Sequence, residues 1–395
     1  MSFHPVLVQK FGGTSVSTAE RRSQVIGHVR QARGAGYQVA LVVSAMGRRG
    51  DPYATDTLLD LLRLDGAGAV DPRDYDLMFT CGEAIAVAVV SHALKRAGID
   101  SAGLTAAQAR IYTDGHHVES EIVRVDPSRL RELLDQGKVP VVTGGQGVVP
   151  GTLDYTTLGR GGSDTSAVAV GVALGADRVE IFTDVEGVAA ADPRVVPGAP
   201  LLQAISYRAM LEMARFGAKV MHPRSVAAGC RAGLPLVVRS TFSDAPGTLI
   251  HDGPDAAPIV GLAWLRGMET VTLPGGAMNN EGREAWEARR LVMTVADAEA
   301  STLVAGATAD KRQELAEAFR EAGVTPLKRL GSCAWLSVVG EGGTLGSALP
   351  GLVALLRETA GEVRAYELTA TRVTFIIPDD RCEHAARAVY RRLWE

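Results

Sequence analysis

Lys10, Gly12 and Gly13, in the segment KFGGTS near the start of the chain, form a combination that can hold phosphate. The segment follows an apolar run, VLV at residues 6–8, and precedes a helix-like stretch that begins near residue 17. Glycines let backbone N–H groups approach phosphate oxygens, a helix N-terminus adds partial positive charge, and a lysine adds a full charge. Taken alone, the pattern is equally compatible with an ordinary turn from a strand to a helix.

A second glycine-rich segment, TLGRGGSDTS at residues 157–166, opens an apolar helix predicted over 163–174. Gly161 and Gly162 permit close approach of the backbone, and Ser163 or Asp164 can cap the helix. Arg160 supplies a planar fork that suits a carboxylate. Because capping does not explain an arginine between glycines, the segment favours an anion site over a simple helix start.

Three more positions carry chemistry only in a suitable setting. Thr183 and Asp184 end an apolar run, where an acid can meet a ribose or a metal-bound phosphate; a solvated turn is the alternative. Lys219 follows Gly-Ala and could reach a nucleotide phosphate, although a surface lysine explains it equally well. Glu83 is predicted at a helix start, where it is a partner of the helix dipole unless it faces a substrate amine.

Together these residues are typical of phosphoryl transfer to a small acceptor. Two lysines and several glycine-rich helix starts suit a nucleoside triphosphate, since phosphoryl transfer needs positioning and charge neutralisation more than a covalent nucleophile. Mg²⁺ would supply the remaining positive charge. Arg160 and Glu83 would suit an acceptor that has a carboxylate and an amine. The sequence has no P-loop, no protein-kinase motif set and no paired-histidine metal site, so no metal ligands are predicted.

The composition argues against several other classes of protein. The formal net charge is −4 and no basic stripe with interleaved aromatic residues occurs, which argues against nucleic-acid binding. No segment approaches 18 uninterrupted apolar residues and the start of the chain shows no signal pattern, so we expect no membrane span and a cytoplasmic location. The four cysteines lie far apart, as free thiols in a reducing compartment do.

Short apolar runs alternate with helical segments over the first 250 residues, which predicts an α/β fold: a mostly parallel sheet between layers of helices. The predicted strands are 6–8, 38–44, 139–143, 179–183 and 236–239, and the predicted helices are 19–34, 83–97, 127–136, 163–174 and 208–216. In such sheets the ligand site lies beyond the carboxyl ends of the strands. The polar segments can therefore converge although they are far apart in the sequence.

The composition changes near residues 246–258, where Gly, Pro, Asp and Ala dominate, which indicates a linker. Strand 259–273, helix 281–290 and strand 291–296 are predicted next, followed by a βαββαβ order from 302 to 393 with an antiparallel sheet. We therefore expect a catalytic domain at 1–250, a linker with a short α+β unit at 251–300, and a fuller α+β unit at 301–395. Exposed edges of small sheets favour pairing of copies, so we expect a homo-oligomer, either a dimer or a tetramer.

Six segments in register resemble the aspartate kinase (aspartokinase) family, whose catalytic domain is amino-acid-kinase-like: KFGGTS at 10–15, SAMG at 44–47, TLGRGGSDTS at 157–166, TDVEGVAAADPR at 183–194, GAKVMHP at 217–223 and RSTF at 239–242. Residues 44–59 most resemble one-chain members that respond to meso-diaminopimelate. The C-terminal third resembles paired ACT domains, which bind regulatory amino acids. The resemblance implies ATP-dependent phosphorylation of the side-chain carboxylate of L-aspartate, a step toward lysine and diaminopimelate, threonine and methionine.

The resemblance also implies roles for individual residues. Lys10 would neutralise the transferring phosphoryl group, and Asp164 would orient that lysine or organise charge near the phosphates. The aspartate-binding set would be Ser44, Thr55, Glu83, Arg160 and Ser163, with Arg160 on the α-carboxylate. The nucleotide-binding set would be Lys10, Phe11, Gly12, Gly13, Thr183, Asp184, Ala189, Asp192, Arg194, Lys219 and Val220.

The regulatory part departs from the family pattern. Residues 273–290 lead to the next strand without the Gly-Ile-x-Val-Asp-like turn that contacts the effector in the family, and the turn at 322–326 also lacks the aspartate. We therefore expect a shortened first ACT-like unit and weakened or altered feedback control. The alternative function is a non-catalytic amino-acid sensor on a kinase fold, against which Lys10, Arg160 and Asp164 argue because a sensor has no chemical need for all three.

Overall fold

A computed structural model describes residues 4–63, 69–274, 286, 292–295, 302–308 and 311–395. These residues fall into two compact units. The first contains Met1–Val188, Leu201–Tyr207 and Val220–Pro254, and the second contains Ala189–Pro200, Arg208–Lys219 and Asp255–Glu395. The two short segments of the second unit lie within the predicted catalytic stretch. They cluster with the C-terminal part because, for example, Ala191 and Val196 share a hydrophobic core with its sheet.

An eight-stranded sheet forms the centre of the first unit, and a four-stranded sheet accompanies it. Their strands are β1 Val6–Phe11, β2 Gln38–Val43, β3 Ser101–Leu104, β4 Ile111–Thr113, β5 Ile122–Val125, β6 Val139–Thr143, β7 Gln146–Val148, β8 Tyr155–Thr157, β9 Arg178–Thr183, β10 Ala204–Ser206, β11 Leu236–Ser240 and β12 Thr248–His251. The large sheet has the order β10-β12-β11-β9-β1-β2-β6-β3 and is parallel except between β11 and β12. The predicted mostly parallel sheet is thereby confirmed.

Helices cover both faces of the large sheet. The helices of the first unit are α1 Gly13–Val16, α2 Ala19–Gly34, α3 Thr55–Leu61, α4 Pro72–Arg96, α5 Ser128–Asp135, α6 Gly162–Leu174 and α8 Pro223–Ala232. Helix α7, Tyr207–Arg215, belongs to the second unit apart from Tyr207. Apolar residues of α2 and α4, such as Val29 and Leu94, share a core with Leu7 and Leu41 of the central strands. Polar Lys10 instead pairs with α6, so α6 lies on the opposite face.

Helix α4 begins eleven residues before the predicted helix start at Glu83. Asp71 caps it by accepting a hydrogen bond from the Arg73 N–H, and Pro72 occupies its first turn. Gly82 does not begin the helix but lies inside it, where a Cβ would come within 2.9 Å of the Ala45 Cβ. The expectation of a glutamate at the first turn is therefore wrong, and Glu83 lies in the middle of α4.

By length and composition alone, α4 could cross a membrane, since its most apolar 18-residue window has a mean hydropathy of 1.7. In the structure 44% of that window is buried inside the protein. Two acidic side chains, Asp76 and Glu83, are also buried along the helix. Burial against a sheet is the pattern of a core helix rather than of a lipid-facing one.

The second unit contains a six-stranded antiparallel sheet with the order β14-β15-β13-β16-β18-β17, which confirms the predicted α+β architecture. Its strands are β13 Ile259–Pro274, β14 Val292–Val295, β15 Thr302–Thr308, β16 Lys328–Gly340, β17 Ala365–Leu368 and β18 Arg372–Pro378, and its helices are α9 Arg312–Glu321, α10 Gly342–Ala360 and α11 Cys382–Trp394. The helix predicted over 281–290 lies outside the described residues, apart from Trp286. The same holds for most of the segment 273–290, on which the expected shortened unit rests.

Two hydrophobic clusters divide this sheet. One joins Leu262, at the start of β13, to Leu336, Phe375 and residues of α10 and α11. The other joins Val271, at the end of β13, to β15 and α9. In the sequence, residues of the first cluster therefore lie both before and after those of the second cluster. The division into 251–300 and 301–395 stays a prediction.

Candidate active site

The carboxyl ends of four neighbouring strands meet at one edge of the large sheet. Strands β9, β1, β2 and β6 are adjacent and parallel, and Lys10 of β1 lies beside Val42 of β2 and Ile181 of β9. From β1 the chain moves to β2 on one side and later to β9 on the other, so the topology switches at β1. Ligands of open α/β sheets bind at such a switch point.

The turn after β1 and the turn after β2 interlock through their backbones. The Ser44 N–H donates to the Phe11 carbonyl at 3.2 Å, and the Gly47 N–H donates to the Gly13 carbonyl at 3.0 Å. A Cβ on Gly13 would lie 2.3 Å from the Ala45 carbonyl oxygen, so this close approach requires glycine. The helix that follows, α1, has only four residues and adds little dipole charge. The positive charge of this turn therefore comes mainly from its lysine.

Lys10 and Asp164 form an ion pair, with 2.6 Å between Nζ and Oδ1 and each side chain about nine-tenths buried. Helix α6 begins at Gly162, and Gly161 is its N-cap in the left-handed conformation without any side-chain cap. The expectation that Ser163 or Asp164 caps the helix is therefore wrong. Asp164 lies in the first turn and holds Lys10 instead, which brings together the two residues predicted to be catalytic.

Phe11 belongs to the core. Successive residues of a strand point to opposite faces, so Phe11 lies on the face opposite to Lys10. Its ring is fully buried and stacks on Phe182 with 4.5 Å between centroids. Its place in the nucleotide-binding set can therefore rest only on its backbone, because the ring is out of reach of a ligand beside Lys10.

Glu83 is 2% exposed and is held by Ala45, which follows Ser44, and by Thr55 of the predicted substrate set. Its Oε1 accepts a hydrogen bond from the Ala45 N–H at 3.2 Å, and Thr55 supplies a second hydrogen bond. Its Oε2 has no hydrogen-bond partner in the described part of the chain. Burial raises the pKa of Glu83 to about 8, and the hydrogen bonds act in the opposite direction by lowering it. A buried carboxylate with one oxygen left over suits a cationic ligand group.

Arg160 extends from a loop of two left-handed glycines. Gly159 and Gly161 have φ values of 67° and 70°, which non-glycine residues rarely adopt. Arg160 itself is exposed, and within the residues that the structure describes it forms no ion pair. Ser163 is half-buried in the first turn of α6, and Ser44 is half-buried at the end of β2. The loop thus presents an unpaired guanidinium that is available to an anion.

Sequence reasoning missed the turn after β6. A Cβ on Gly144 would lie 2.7 Å from the Ser163 Cβ, and the Gly145 N–H donates to the Ser166 hydroxyl at 3.0 Å. This turn therefore fixes the start of α6 against the sheet. Its signal was present, since TGG directly after a predicted strand repeats the pattern of the first glycine turn.

The predicted nucleotide-binding residues are divided between the two units. In the first unit, Thr183 donates to Asp184 at 3.2 Å, and Asp184 forms an exposed ion pair with Arg48 at 2.8 Å. Val220 also belongs to the first unit and is half-buried.

The remaining members of that set lie in the second unit. Arg194 pairs with Asp192 at 2.6 Å, and this hydrogen bond lowers the pKa of Asp192. The charge of Lys219, which is exposed, acts in the same direction, and Ala189 is half-buried. Their role in binding a nucleotide stays a prediction.

Comparisons with known proteins agree on one family. A family model described as the amino acid kinase family matches residues 5–240. Aspartokinase 1 of Bacillus subtilis (strain 168) is 47% identical over 245 residues, which is 62% of this chain and 60% of that protein. An aspartokinase of Corynebacterium efficiens is 36% identical over 98% of this chain and 96% of its own length.

A solved structure also resembles this chain over nearly its whole length. The crystal structure of E. coli aspartokinase III in complex with aspartate and ADP covers 99% of this chain with a TM-score of 0.78 and 22% identity. All of that protein's chain is matched. At this identity the likeness shows the fold. With B. subtilis aspartokinase 1, by contrast, the matched region spans only about three-fifths of that protein's length.

Proposed function

We propose that this protein transfers the terminal phosphoryl group of ATP to the side-chain carboxylate of L-aspartate, which gives 4-phospho-L-aspartate. The premise is that the chain belongs to the amino acid kinase family and, within it, to the aspartokinases. One observation supports this most directly. Lys10, near the carboxyl end of the switch strand β1, pairs with Asp164, and buried Glu83, whose Oε2 has no partner in the described residues, contacts the turn after the neighbouring strand β2. The same sheet edge therefore offers a cation for a phosphoryl group and a carboxyl group that an amine can ionise.

Phosphoryl transfer at this edge needs no general base. The attacking carboxylate of aspartate is already ionised near neutral pH, because its ordinary pKa is about 3.9. Lys10 would neutralise negative charge on the transferring phosphoryl group, and its burial strengthens that interaction. Asp164 holds the lysine in place, so the cation is oriented before the substrates arrive.

Two groups would orient the amino acid. The free Oε2 of Glu83 would accept a hydrogen bond from the α-ammonium group, and the guanidinium of Arg160 would bind the α-carboxylate through its planar fork. Thr55 steadies Glu83, while Ser44 and Ser163 stand at the end of β2 and the start of α6. With both α-substituents bound, the side-chain carboxylate is the group left to react.

ATP would be bound by the remaining predicted set. Backbone N–H groups at Gly12 and Gly13 would approach the phosphates, and the polar segments at 183–194 and 217–220 would hold the rest of the nucleotide. Among the residues that the structure describes, no cluster of three His, Cys, Asp or Glu side chains could hold a metal ion. We therefore propose that Mg²⁺ arrives with ATP on its phosphate oxygens, where it supplies positive charge to the transferring group.

We also propose that the antiparallel sheet of the second unit is an ACT-like regulatory part with altered feedback, in a cytoplasmic homo-oligomer whose product serves lysine and diaminopimelate, threonine or methionine synthesis. The support is the α+β architecture together with the sequence departures at 273–290 and 322–326. Titration of lysine, threonine and meso-diaminopimelate into an activity assay tests the regulatory part. Strong inhibition by any one of them contradicts weakened feedback.

ADP release, measured with and without L-aspartate, tests the proposed reaction. We expect ADP formation to require L-aspartate, and we expect L-glutamate, which is one methylene longer, to support it poorly. ADP formation that does not depend on L-aspartate, or that is faster with L-glutamate, contradicts the proposal. A protein that binds L-aspartate in calorimetry and forms no ADP would be a sensor instead.

A further inference from the structure

Asp76 is a fully buried carboxylate in the first unit to which the proposed reaction gives no role. It lies on α4 with 0% exposure, seven residues before Glu83. Seven residues make about two helical turns, so the two acids share one face of the helix. Both oxygens of Asp76 already have protein partners, unlike Oε2 of Glu83, so neither is left for a substrate. Its carboxylate must serve protein groups.

Three residues form hydrogen bonds with this carboxyl group. The Nδ1 atom of His117 lies 2.6 Å from Oδ2. The Val118 N–H reaches both oxygens, at 3.2 and 3.1 Å, and the Thr157 hydroxyl donates to Oδ1. Asp76 therefore ties the 117–118 segment to the end of β8.

The backbone held by Asp76 is strained. Val118 has a φ of 71°, in the left-handed region that a β-branched residue rarely occupies. Such a conformation persists only where the surroundings fix it, and the two bonds from the Val118 N–H to Asp76 do so. The Val118 carbonyl oxygen lies 3.4 Å from the same Thr157 hydroxyl, whose proton goes to Asp76.

This segment supports the loop that carries Arg160. A Cβ on Gly159 would lie 3.2 Å from the Val118 carbonyl oxygen, so the two backbones are in close contact. Thr157 is the last residue of β8 and stands three residues before Arg160. Arg224 also donates to the Leu158 carbonyl at 2.9 Å. The residues next to Arg160 in the loop are thus in contact both with the segment that Asp76 holds and with Arg224.

The guanidinium of Arg160 is close to the same end of α4. Burial raises the pKa of Tyr75, the neighbour of Asp76 in the sequence, and the charge of Arg160 opposes that rise. An electrostatic effect of this kind requires the two side chains to be near each other. Arg160 is therefore near Tyr75, the residue before Asp76 on α4.

We propose that Asp76, through His117, Val118 and Thr157, is a positioning residue that fixes Arg160 for the α-carboxylate of the amino-acid substrate. The inference rests on the proposed function, because it assigns Arg160 to that carboxylate. A fork that binds a carboxylate through two hydrogen bonds tolerates little displacement. Loss of the Asp76 contacts should consequently weaken aspartate binding and leave nucleotide binding unchanged.

Steady-state kinetics of Asp76→Asn test the proposal. The amide is the same size, but it has one acceptor oxygen where the carboxylate has two, so it cannot accept hydrogen bonds at both the Oδ1 and the Oδ2 positions as the carboxylate does. We expect the KM for L-aspartate to rise about ten- to a hundredfold, as small misplacements of a binding group do, with the KM for ATP changed less than about twofold. A purely structural role would lower the melting temperature and the active fraction but leave both KM values unchanged, which would overturn the proposal.

A second pair of variants keeps the test decisive if Asp76→Asn does not fold. Thr157→Val removes the hydroxyl at constant volume and should raise the KM for L-aspartate, whereas Thr157→Ser keeps the hydroxyl and should restore it. Ser91→Ala is the matched control, because Ser91 is also buried on α4 and loses a hydrogen bond to Ser101 of 3.0 Å. Equal KM values for L-aspartate in Thr157→Val and Thr157→Ser contradict the inference.

Measurements on the wild-type protein distinguish a failure of the proposed function from a failure of the positioning role of Asp76. If it forms no ADP with L-aspartate, the proposed function fails, and calorimetric titration of L-aspartate into wild type and Asp76→Asn then tests the positioning role without turnover. Equal dissociation constants in that titration contradict the positioning role. If wild type is active and Asp76→Asn keeps its KM for L-aspartate, the positioning role alone fails.

Discussion

Binding of L-aspartate should tighten steeply as the pH rises from 6 to 8, because the proposed ammonium ligand, Glu83, titrates in that range. A surface glutamate is fully ionised there and would give no such dependence. Burial raises the pKa of Glu83 to about 8, so the free protein holds this side chain mostly neutral at pH 7. An ammonium group favours the ionised form, so binding must remove the proton.

The magnitude follows from the ionised fraction of Glu83 in the free protein. With a pKa near 8, about one side chain in a hundred is ionised at pH 6, about one in ten at pH 7 and about half at pH 8. The dissociation constant for L-aspartate should therefore fall about fiftyfold from pH 6 to pH 8, and binding at pH 7 should release about 0.9 proton. Above pH 8 the dependence should level off.

The same pKa makes a statement about stability. The folded pKa of Glu83 is raised above its ordinary value of 4.5, so the folded state binds a proton that the unfolded state has released between pH 4.5 and about 8. Stability should fall with rising pH across this window, by about 1.4 kcal/mol per pH unit and at most about 5 kcal/mol in total. Glu83→Gln has no proton to lose, so its unfolding free energy should lack this component.

Calorimetric titration of L-aspartate without ATP at pH 6, 7 and 8 measures the effect, and buffers with different ionisation enthalpies count the protons. Glu83→Gln should bind weakly and with little dependence on pH. A wild-type dissociation constant that is constant within about twofold from pH 6 to pH 8 would refute the assignment of Glu83 to the ammonium group. Unchanged affinity in Glu83→Gln would do the same.

Three further predictions, one of them with a matched control variant, test other residues. Lys10→Met should lower kcat about a thousandfold or more by removing charge stabilisation, with an unchanged circular dichroism spectrum; near-normal kcat contradicts its role. Gly13→Ala should destabilise the protein by about 3 kcal/mol in urea unfolding, since its Cβ would lie 2.3 Å from a carbonyl oxygen. Gly12→Ala should cost far less, since its Cβ would lie 3.9 Å from the Lys10 Nζ. Arg372→Ala should lower stability by about 3–5 kcal/mol because it leaves Glu212, which Arg372 contacts at 2.9 Å, without its buried partner; an unchanged melting temperature contradicts this.

The core strands and helices of the first unit were predictable because their signals are long and uniform. Helix α2 and strand β6 have the predicted bounds, Ala19–Gly34 and Val139–Thr143. The four-stranded sheet was not predicted, since its strands have three or four residues and too little pattern to stand out. The early start of α4 was missed because the helix was predicted to begin at Glu83, directly after Gly82. In the structure Gly82 lies within the helix and packs against Ala45.

The candidate site was predictable where glycine turns follow apolar runs. Lys10 and Asp164 were expected together, and the structure pairs them. Asp76 had no signal of its own, because an acid on a helix gives the same pattern whether it is solvated or buried. The burial of Asp76 and its contacts become visible only in the fold, which brings Val118 and Thr157 to that carboxylate.

The chemical identity of the product tests the central claim most directly. Transfer to a side-chain carboxylate gives an acyl phosphate, which hydroxylamine converts to a hydroxamate, whereas ATP hydrolysis gives none. The account predicts one aspartyl hydroxamate for each ADP formed from Mg²⁺-ATP and L-aspartate, and neither product at a comparable rate with Lys10→Met. ADP formation without the hydroxamate would contradict it.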